Sequence, residues 1–493
     1  MKISLFNLTV FLCAASFLFA CRDLRDLNLD LDQITHQELE QELPDDGTFV
    51  SAEQAVGVAG AFFNRQSEGA IVRSTLKTDV SIETVYDERN RSNSLMYIVN
   101  YPEGGWAIIS ATRNCYPVLA YSDEGSFLMK APENMGSVVA WLEESKEYIR
   151  ESEAFDDSIK CITRSIWRSY ERKGQKNSPG SLLKNSSFED AYINRISALR
   201  QLYTSDGWYF YRLSDVQYDF DNYWDWYNLC SNANNNGSPP QYTIIGIKNY
   251  YSYNQVGPFL TTKWGQNAPF NNKIPNKCYV GCIAVAMGQI MKYHQKPDFV
   301  NTTLTPQYNW NDMPAMNIDS MNIVNSSIPF LLFHIGIQAN IQYCTSSGST
   351  SNIENARFAF VNSYNYNSQY TKVVTEHKIN EVRNEISAQR PVLMYGETDT
   401  GAGHAWVAHG IKDETVYMKY FVEYINAWDY SYSTLGYSSY SYPLSTLPKN
   451  YNRFFMNWGH AGLYDGLFFD NWANMNSNYD FKKERQNLYV RKN

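Results

Sequence analysis

The chain has 493 residues, too many for one compact domain at about 150 residues each, and its 44% hydrophobic content is enough to build buried cores. Its 42 Lys and Arg against 51 Asp and Glu leave a net charge of -9, which argues against the basic footprint of a nucleic-acid binder. Eight Cys in this length exclude a disulfide-dense miniprotein, and without a paired CxxC set a structural zinc site is not expected.

In chain order, Lys2 is followed by a largely apolar run from Ile3 to Ala20, short for a membrane span and placed where a secretory signal belongs. Leu18-Phe19-Ala20-Cys21 resembles a bacterial lipobox, which makes 1–20 a lipoprotein-type signal with Cys21 as the lipidated residue; the alternative is an ordinary cleaved signal with an incidental Cys. Residues 22–46 carry nine acids and two Arg and read, with their flanks (21–49), as an acidic tether. Ser51 and Gln54 form a capping box that opens a helix through Phe63. Strand-like runs at 95–100, 105–110 and 117–122 and a helix around 137–150 complete a small α+β module, taken as residues 50–165. Residues 151–240 are less regular and end in an Asn-, Ser- and Pro-rich stretch at 231–240, and 166–241 are taken as a linker region. The rest, 242–493, is long enough for one substantial domain, and no later segment is long and apolar enough to span a membrane.

Three segments of that domain carry chemistry. Gly281-Cys282 precedes a helical pattern in which Ile283, Ala286, Met287 and Ile290 share a face, so Cys282 falls at a helix N-terminus, where N–H groups and the dipole favour a thiolate. The competing reading is a buried structural Cys. Gly403-His404 leads into an apolar strand after the strand-like 391–395, a position that leaves His404 exposed as a general base; a surface-loop His is the plainer alternative. Asn457-Trp458-Gly459 offers an Asn to fix an imidazole tautomer and a Trp to shield that bond from water.

The order Cys, His, Asn is that of a papain-like protease, and the chain resembles the streptopain family of bacterial secreted cysteine peptidases. The resemblance runs through Thr262-Lys-Trp-Gly-Gln266, Gly281-Cys282 to His294, Gln307 to Trp310, Ser346 to Ser349, Gly403-His404 and Asn457-Trp458-Gly459. Residues 51–130 also look like the family's prodomain, including Ile108-Ile109-Ser110 and Val118 to Ser122. The resemblance implies an α+β fold, with a papain-like catalytic domain preceded by a small α+β prodomain. It also implies Cys282 as nucleophile, His404 as general base and then acid, and Asn457 as its orienting partner. Trp458 would cover that pair, and Gln266 would donate to the oxyanion with the Cys282 N–H. The expected partners are protein or peptide substrates and the chain's own prodomain as an intramolecular inhibitor. No metal or organic cofactor is implied, and membrane contact would run only through the N-terminal lipid, on a secreted or cell-surface lipoprotein.

Departures from the family pattern are His409 in place of Asp, His460 in place of a second Trp, and a Tyr-rich insertion between Ile411 and Asn452. The insertion contains Asn426 and Trp428, a rival orienting pair; the Gly459, Ala461-Gly462 and Asp465-Gly466 that follow favour Asn457-Trp458. His409 and His460 raise the alternative of a catalytically inactive surface binding lipoprotein on the same fold. His404 and His409 lack an HExxH helix, so a zinc protease is not expected. His294, at a helix C-terminus, reads as a dipole-favouring cation. Cys278 and Cys344 either pair or stay free, whereas a Cys278–Cys282 bridge would disable the thiolate.

Overall fold

Ser51 and Gln54 form the reciprocal cap expected from the sequence: Gln54 N–H donates to Ser51 Oγ (3.3 Å) and Ser51 N–H to Gln54 Oε1 (2.8 Å). They open α1 (Ala52–Gln66), whose Ala55, Val56, Val58, Ala59, Phe62 and Phe63 are buried. The computed structural model describes residues 47–66, 73, 77–129, 138–155, 157–171, 188–203, 208–212, 243–297, 308–315, 327–346, 348–397, 403–425, 432–443, 453–469 and 483–493. The signal, tether residues 21–46 and the rival pair Asn426 and Trp428 lie outside them.

The first module continues with β1 (Ser81–Asp87), β2 (Asn90–Asn100), β3 (Trp106–Ser110), β4 (Val118–Ser122) and α2 (Val138–Glu151). The region read as less regular holds more structure than expected: α3 (Asp157–Glu171), α4 (Phe188–Tyr203) and β5 (Tyr209–Arg212). In α3 the buried face mixes Ile159, Ile166, Trp167 and Tyr170 with Thr163 and Ser169. Those hydroxyls bond back to the Ile159 and Ile166 carbonyls (3.2 and 2.6 Å), so polar residues sit on the core face and dilute the apolar period.

The second module runs β6 (Thr243–Val256), α5 (Cys282–His294), α6 (Ile328–Gln338), β7 (Gln342–Thr345), β8 (Gly348–Thr350) and α7 (Ile353–Phe358). It continues with β9 (Lys372–Val374), α8 (Ile379–Ser387), β10 (Val392–Glu397), β11 (Gly403–Ile425) and β12 (Tyr432–Pro443). The last strands are β13 (Arg453–Asn457), β14 (Gly466–Phe469) and β15 (Lys483–Tyr489).

Among the described residues one antiparallel sheet of thirteen strands runs β1-β2-β3-β4-β14-β13-β11-β10-β15-β9, with β6 and β12 also on β11 and β5 on β6. The join between modules is β4 against β14, with Leu467 opposite Tyr121 and Phe468 opposite Ala120. The start of β11 lies between β10 and β13, with Val407 opposite Asn457, which brings His404 to the end of β13. Past Ile411 the same strand leaves that core, paired with β6 on one side and β12 on the other. The described part of the Tyr-rich insertion, 411–425 and 432–443, is therefore an antiparallel two-stranded arm that prolongs the His404 strand. α5 is buried on all sides from Ile283 to Met291, not on one face alone, because it packs between α6 and the β10–β11 face of the sheet.

Candidate active site

Gly281 permits the approach to Cys282. Its φ of +93° is open to glycine, and a Cβ there would meet Ile341 Cδ1 at 3.0 Å and Ser349 O at 3.4 Å. The chain turns there and α5 begins at Cys282, a half-buried free thiol. Loss of water pushes the Cys282 thiol up, against the lowering effect of the Ala405, Ile283 and Cys282 N–H groups. The Ala405 contact puts the sulfur against the residue next to His404.

His404 is the second residue of β11 and is buried, 7% exposed, in contrast to the exposed base expected. Its ring stacks parallel to His460 (centroids 5.4 Å apart, 6° between planes) and lies 6.5 Å from Trp406. Burial drives its pKa down to about 4, and the Trp458 carbonyl opposes that fall. That carbonyl is 3.1 Å from Nε2. A carbonyl only accepts, so Nε2 carries the proton and Nδ1 keeps its lone pair, the tautomer a general base needs.

The expected orienting pair is present but works differently. The Asn457 amide makes no hydrogen bond to the ring: Oδ1 accepts from Gln289 Nε2 (2.8 Å) and Gly459 N–H (3.1 Å), and Nδ2 donates to Thr262 O (2.8 Å). The contact runs one peptide further along. Gly459 N–H, held by Asn457, belongs to the same peptide group as the Trp458 carbonyl that meets His404. The buried Trp458 indole packs on Trp406 (5.5 Å) and Phe468 (5.2 Å), so the covering ring over His404 is His460. Asp465 holds the Trp458 N–H at 2.9 Å, and burial raises its pKa to about 7, against the opposing pull of that N–H and of Lys263.

Gln266 is half-buried, and its carbonyl accepts the Val280 N–H (3.0 Å), which ties its loop to the segment entering α5. Sequence reasoning missed Gln289. It reads as one polar residue in an apolar run, yet it is 0% exposed and joins Trp264 N–H (3.4 Å) to Asn457. A buried amide inside a helix with apolar neighbours on both sides was the available signal.

The remaining His and Cys residues resolve plainly. His294 bonds Tyr366 (3.2 Å), and burial lowers its pKa to about 3. It is therefore neutral and does not serve the helix dipole as expected. His409 Nδ1 accepts the Leu260 N–H at 3.1 Å and is likewise driven down to about 3 by burial, so it joins two segments of backbone as a neutral ring. Cys278 and Cys344 form a disulfide, and Cys282 is free.

Comparison with known proteins gives the same picture. The Peptidase C10 family profile matches residues 264–468, and the Spi protease inhibitor profile matches 47–149. Streptopain of Streptococcus pyogenes serotype M28 is 23% identical over 403 residues, covering 76% of this chain and 82% of its own. The thiol protease/hemagglutinin PrtT of Porphyromonas gingivalis is 29% identical over 181 residues, 31% of this chain and 20% of that one. A fragment of prointerpain A from Prevotella intermedia aligns with a TM-score of 0.43 at 16% identity, covering 83% of this chain and 98% of that one. The chain is a cysteine-type peptidase with an α+β fold, whose residues 264–468 match the Peptidase C10 family and whose residues 47–149, on the N-terminal side, match the Spi protease inhibitor.

Proposed function

We propose that this peptidase is a secreted endopeptidase made as a zymogen, with Cys282 as nucleophile and His404 as base. One observation carries the reading: the Cys282 sulfur lies against the Ala405 N–H while the adjacent His404 has Nε2 committed to the Trp458 carbonyl. His404 Nδ1 takes the thiol proton as sulfur attacks the peptide carbonyl. The oxyanion develops toward the Cys282 N–H and Gln266, each donor worth about 10²–10³ in rate. His404 then protonates the departing amine, leaving a thioester. Water deprotonated by His404 cleaves that thioester, freeing the acid and the thiol.

Residues 47–149 act as the inhibitor within the chain. They hold the segment that orients His404: β4 pairs with β14, Trp141 Nε1 donates to Phe469 O (2.9 Å) and Tyr464 OH to Leu128 O (2.9 Å). The N-terminal segment supports export, with Cys21 as the lipid-bearing residue of a cell-surface or secreted protein. The Cys278–Cys344 disulfide fits an oxidising compartment.

Purified full chain should process itself and cleave casein, and a thiol alkylator should stop both. Cys282→Ala should lose both by a factor on the order of 10⁴–10⁶. Wild type that shows no thiol-dependent cleavage, even after the prodomain is removed, would sink the assignment.

A further inference from the structure

We propose that Gln289 is a positioning residue that keeps His404 in register with Cys282, acting through Asn457 and the Trp458–Gly459 peptide. This rests on the peptidase reading above and adds a residue that the reading does not contain.

The geometry allows one assignment of the amides. Gly459 N–H can only donate, so the Asn457 atom facing it is Oδ1; Thr262 O can only accept, so the atom facing it is Nδ2. Gln289 must therefore present its NH₂ to Asn457 Oδ1 (2.8 Å), which turns its own carbonyl to Trp264 N–H (3.4 Å). Every contact agrees with every other. The Trp264 bond is long and is the weak member.

Gln289 lies seven residues after Cys282, two turns along the same helix face. A shift or rotation of α5 therefore moves Cys282 and Gln289 together. From Gln289 the contacts reach Asn457 Oδ1, Gly459 N–H, the Trp458 carbonyl and His404 Nε2 within three hydrogen bonds of 2.8, 3.1 and 3.1 Å. Through Trp264 the same side chain reaches the strip that carries Gln266. Trp264 O in turn accepts Ala461 N–H (3.1 Å), next to the His460 that stacks on His404. Nucleophile helix, oxyanion loop and base-orienting loop thus converge on one side chain with no exposure to water.

Helix propensity or core packing would be met by Leu or Met at this place. Such a residue would leave Trp264 N–H without its acceptor and Asn457 Oδ1 with one donor, inside a dry core. The effect argued is positional: the amide fixes where Oδ1 stands, and Oδ1 fixes the peptide that holds the imidazole. Small displacements suffice to cost rate when reacting groups must stay aligned.

The test uses the full chain after processing. Gln289→Met keeps volume and removes both polar contacts; Gln289→Glu keeps shape, cannot donate as a carboxylate, and regains a donor when protonated. Expected are a fall of about tenfold or more in kcat with KM within about twofold for Gln289→Met, and a similar fall for Gln289→Glu at neutral pH. The Gln289→Glu deficit should shrink as pH is lowered, in both peptide hydrolysis and the rate of Cys282 alkylation by iodoacetamide. Should Gln289→Met fail to fold, the acid-to-neutral comparison within Gln289→Glu still decides. Active wild type alongside an unimpaired Gln289→Met overturns the inference alone. So does a Gln289→Glu deficit that ignores pH, which would mark a merely structural residue. Wild type without thiol-dependent activity fails the peptidase reading first and takes the inference with it.

Discussion

Cys282 and His404 are both pushed toward their uncharged forms, the thiol up and the imidazole down to about 4, and loss of water is the leading cause of each shift. The sign follows directly. At neutral pH His404 is unprotonated and able to accept a proton, while the thiolate fraction of Cys282 is smaller than that of a free cysteine, itself a few per cent. In the uncleaved chain, iodoacetamide should therefore modify Cys282 slowly at neutral pH and faster as pH rises into the alkaline range. A flat, fast rate across about pH 5–7 would mean a preformed thiolate–imidazolium pair and overturn this account. Cys282 and His404 stood out as candidates because each stands at a Gly-marked junction, Gly281-Cys282 and Gly403-His404, where the pattern of neighbours changes abruptly. The burial of His404 was not legible, since it depends on His460 and Trp458 from a segment 54 residues away. Gln289 escaped for a similar reason: its meaning comes from Asn457, which lies 168 residues further along the chain.

The turn that delivers Cys282 is held by its neighbours more than by its own hydrogen bonds. Cys278 is bridged to Cys344 on β7, and Ser349 Oγ on β8 donates to Tyr279 O at 2.6 Å, so β7 and β8 together brace the approach to α5 at two adjacent residues. The bridge spans 66 residues of sequence, for which loop closure is worth on the order of 4 kcal/mol. Replacing both with Ser should lower Tm by about 4 °C, and a dithiol reductant should lower wild type equally while leaving the double variant unchanged. Equal melting of wild type and variant would show that the bridge adds nothing to this fold. The two Cys were visible in the sequence as candidates, but pairing needs a Cα–Cα distance, here 5.5 Å, that spacing does not supply. α1 and the apolar strands β2, β3 and β4 were legible, whereas β1, mostly exposed or half-buried, was not. The long β11 was not either, because its outer half mixes charged, aromatic and apolar residues without a clean alternation, and its pairing partner, β6, precedes it by more than 150 residues.

Across the molecule, the prodomain and catalytic module share one sheet, and the segments between them divide according to which side holds them. α3 leans mainly on the prodomain, though Ser169 Oγ also meets Tyr251 OH of β6 (2.5 Å): Trp167 Nε1 donates to Cys115 O (2.7 Å), Arg113 pairs with Glu171 (2.7 Å), and Arg65 of α1 donates to Ser169 O (2.8 Å). α4 and β5 belong with the arm: β5 pairs with β6, Tyr192, Ile196, Leu199 and Phe210 pack with Ile244, and Arg195 forms a two-point pair with the buried Glu423 (2.7 and 2.9 Å). A cut after β5 would leave these groups bound to the mature enzyme as a separate peptide, whereas a cut between Glu171 and Phe188 severs the chain where the allegiance changes. Maturation should therefore leave an N-terminus within 172–187, so that α4 and β5 stay covalently joined to the catalytic module. N-terminal sequencing of the self-processed protein reads this directly. A stable active product that begins after Arg212 and lacks 188–212 would refute the division, and Arg195→Ala, which strips Glu423 of its partner inside the arm, should then leave the mature enzyme's Tm untouched; on the present account it lowers that Tm by a few degrees, because about 3 kcal/mol or more attends a buried charge left unpaired.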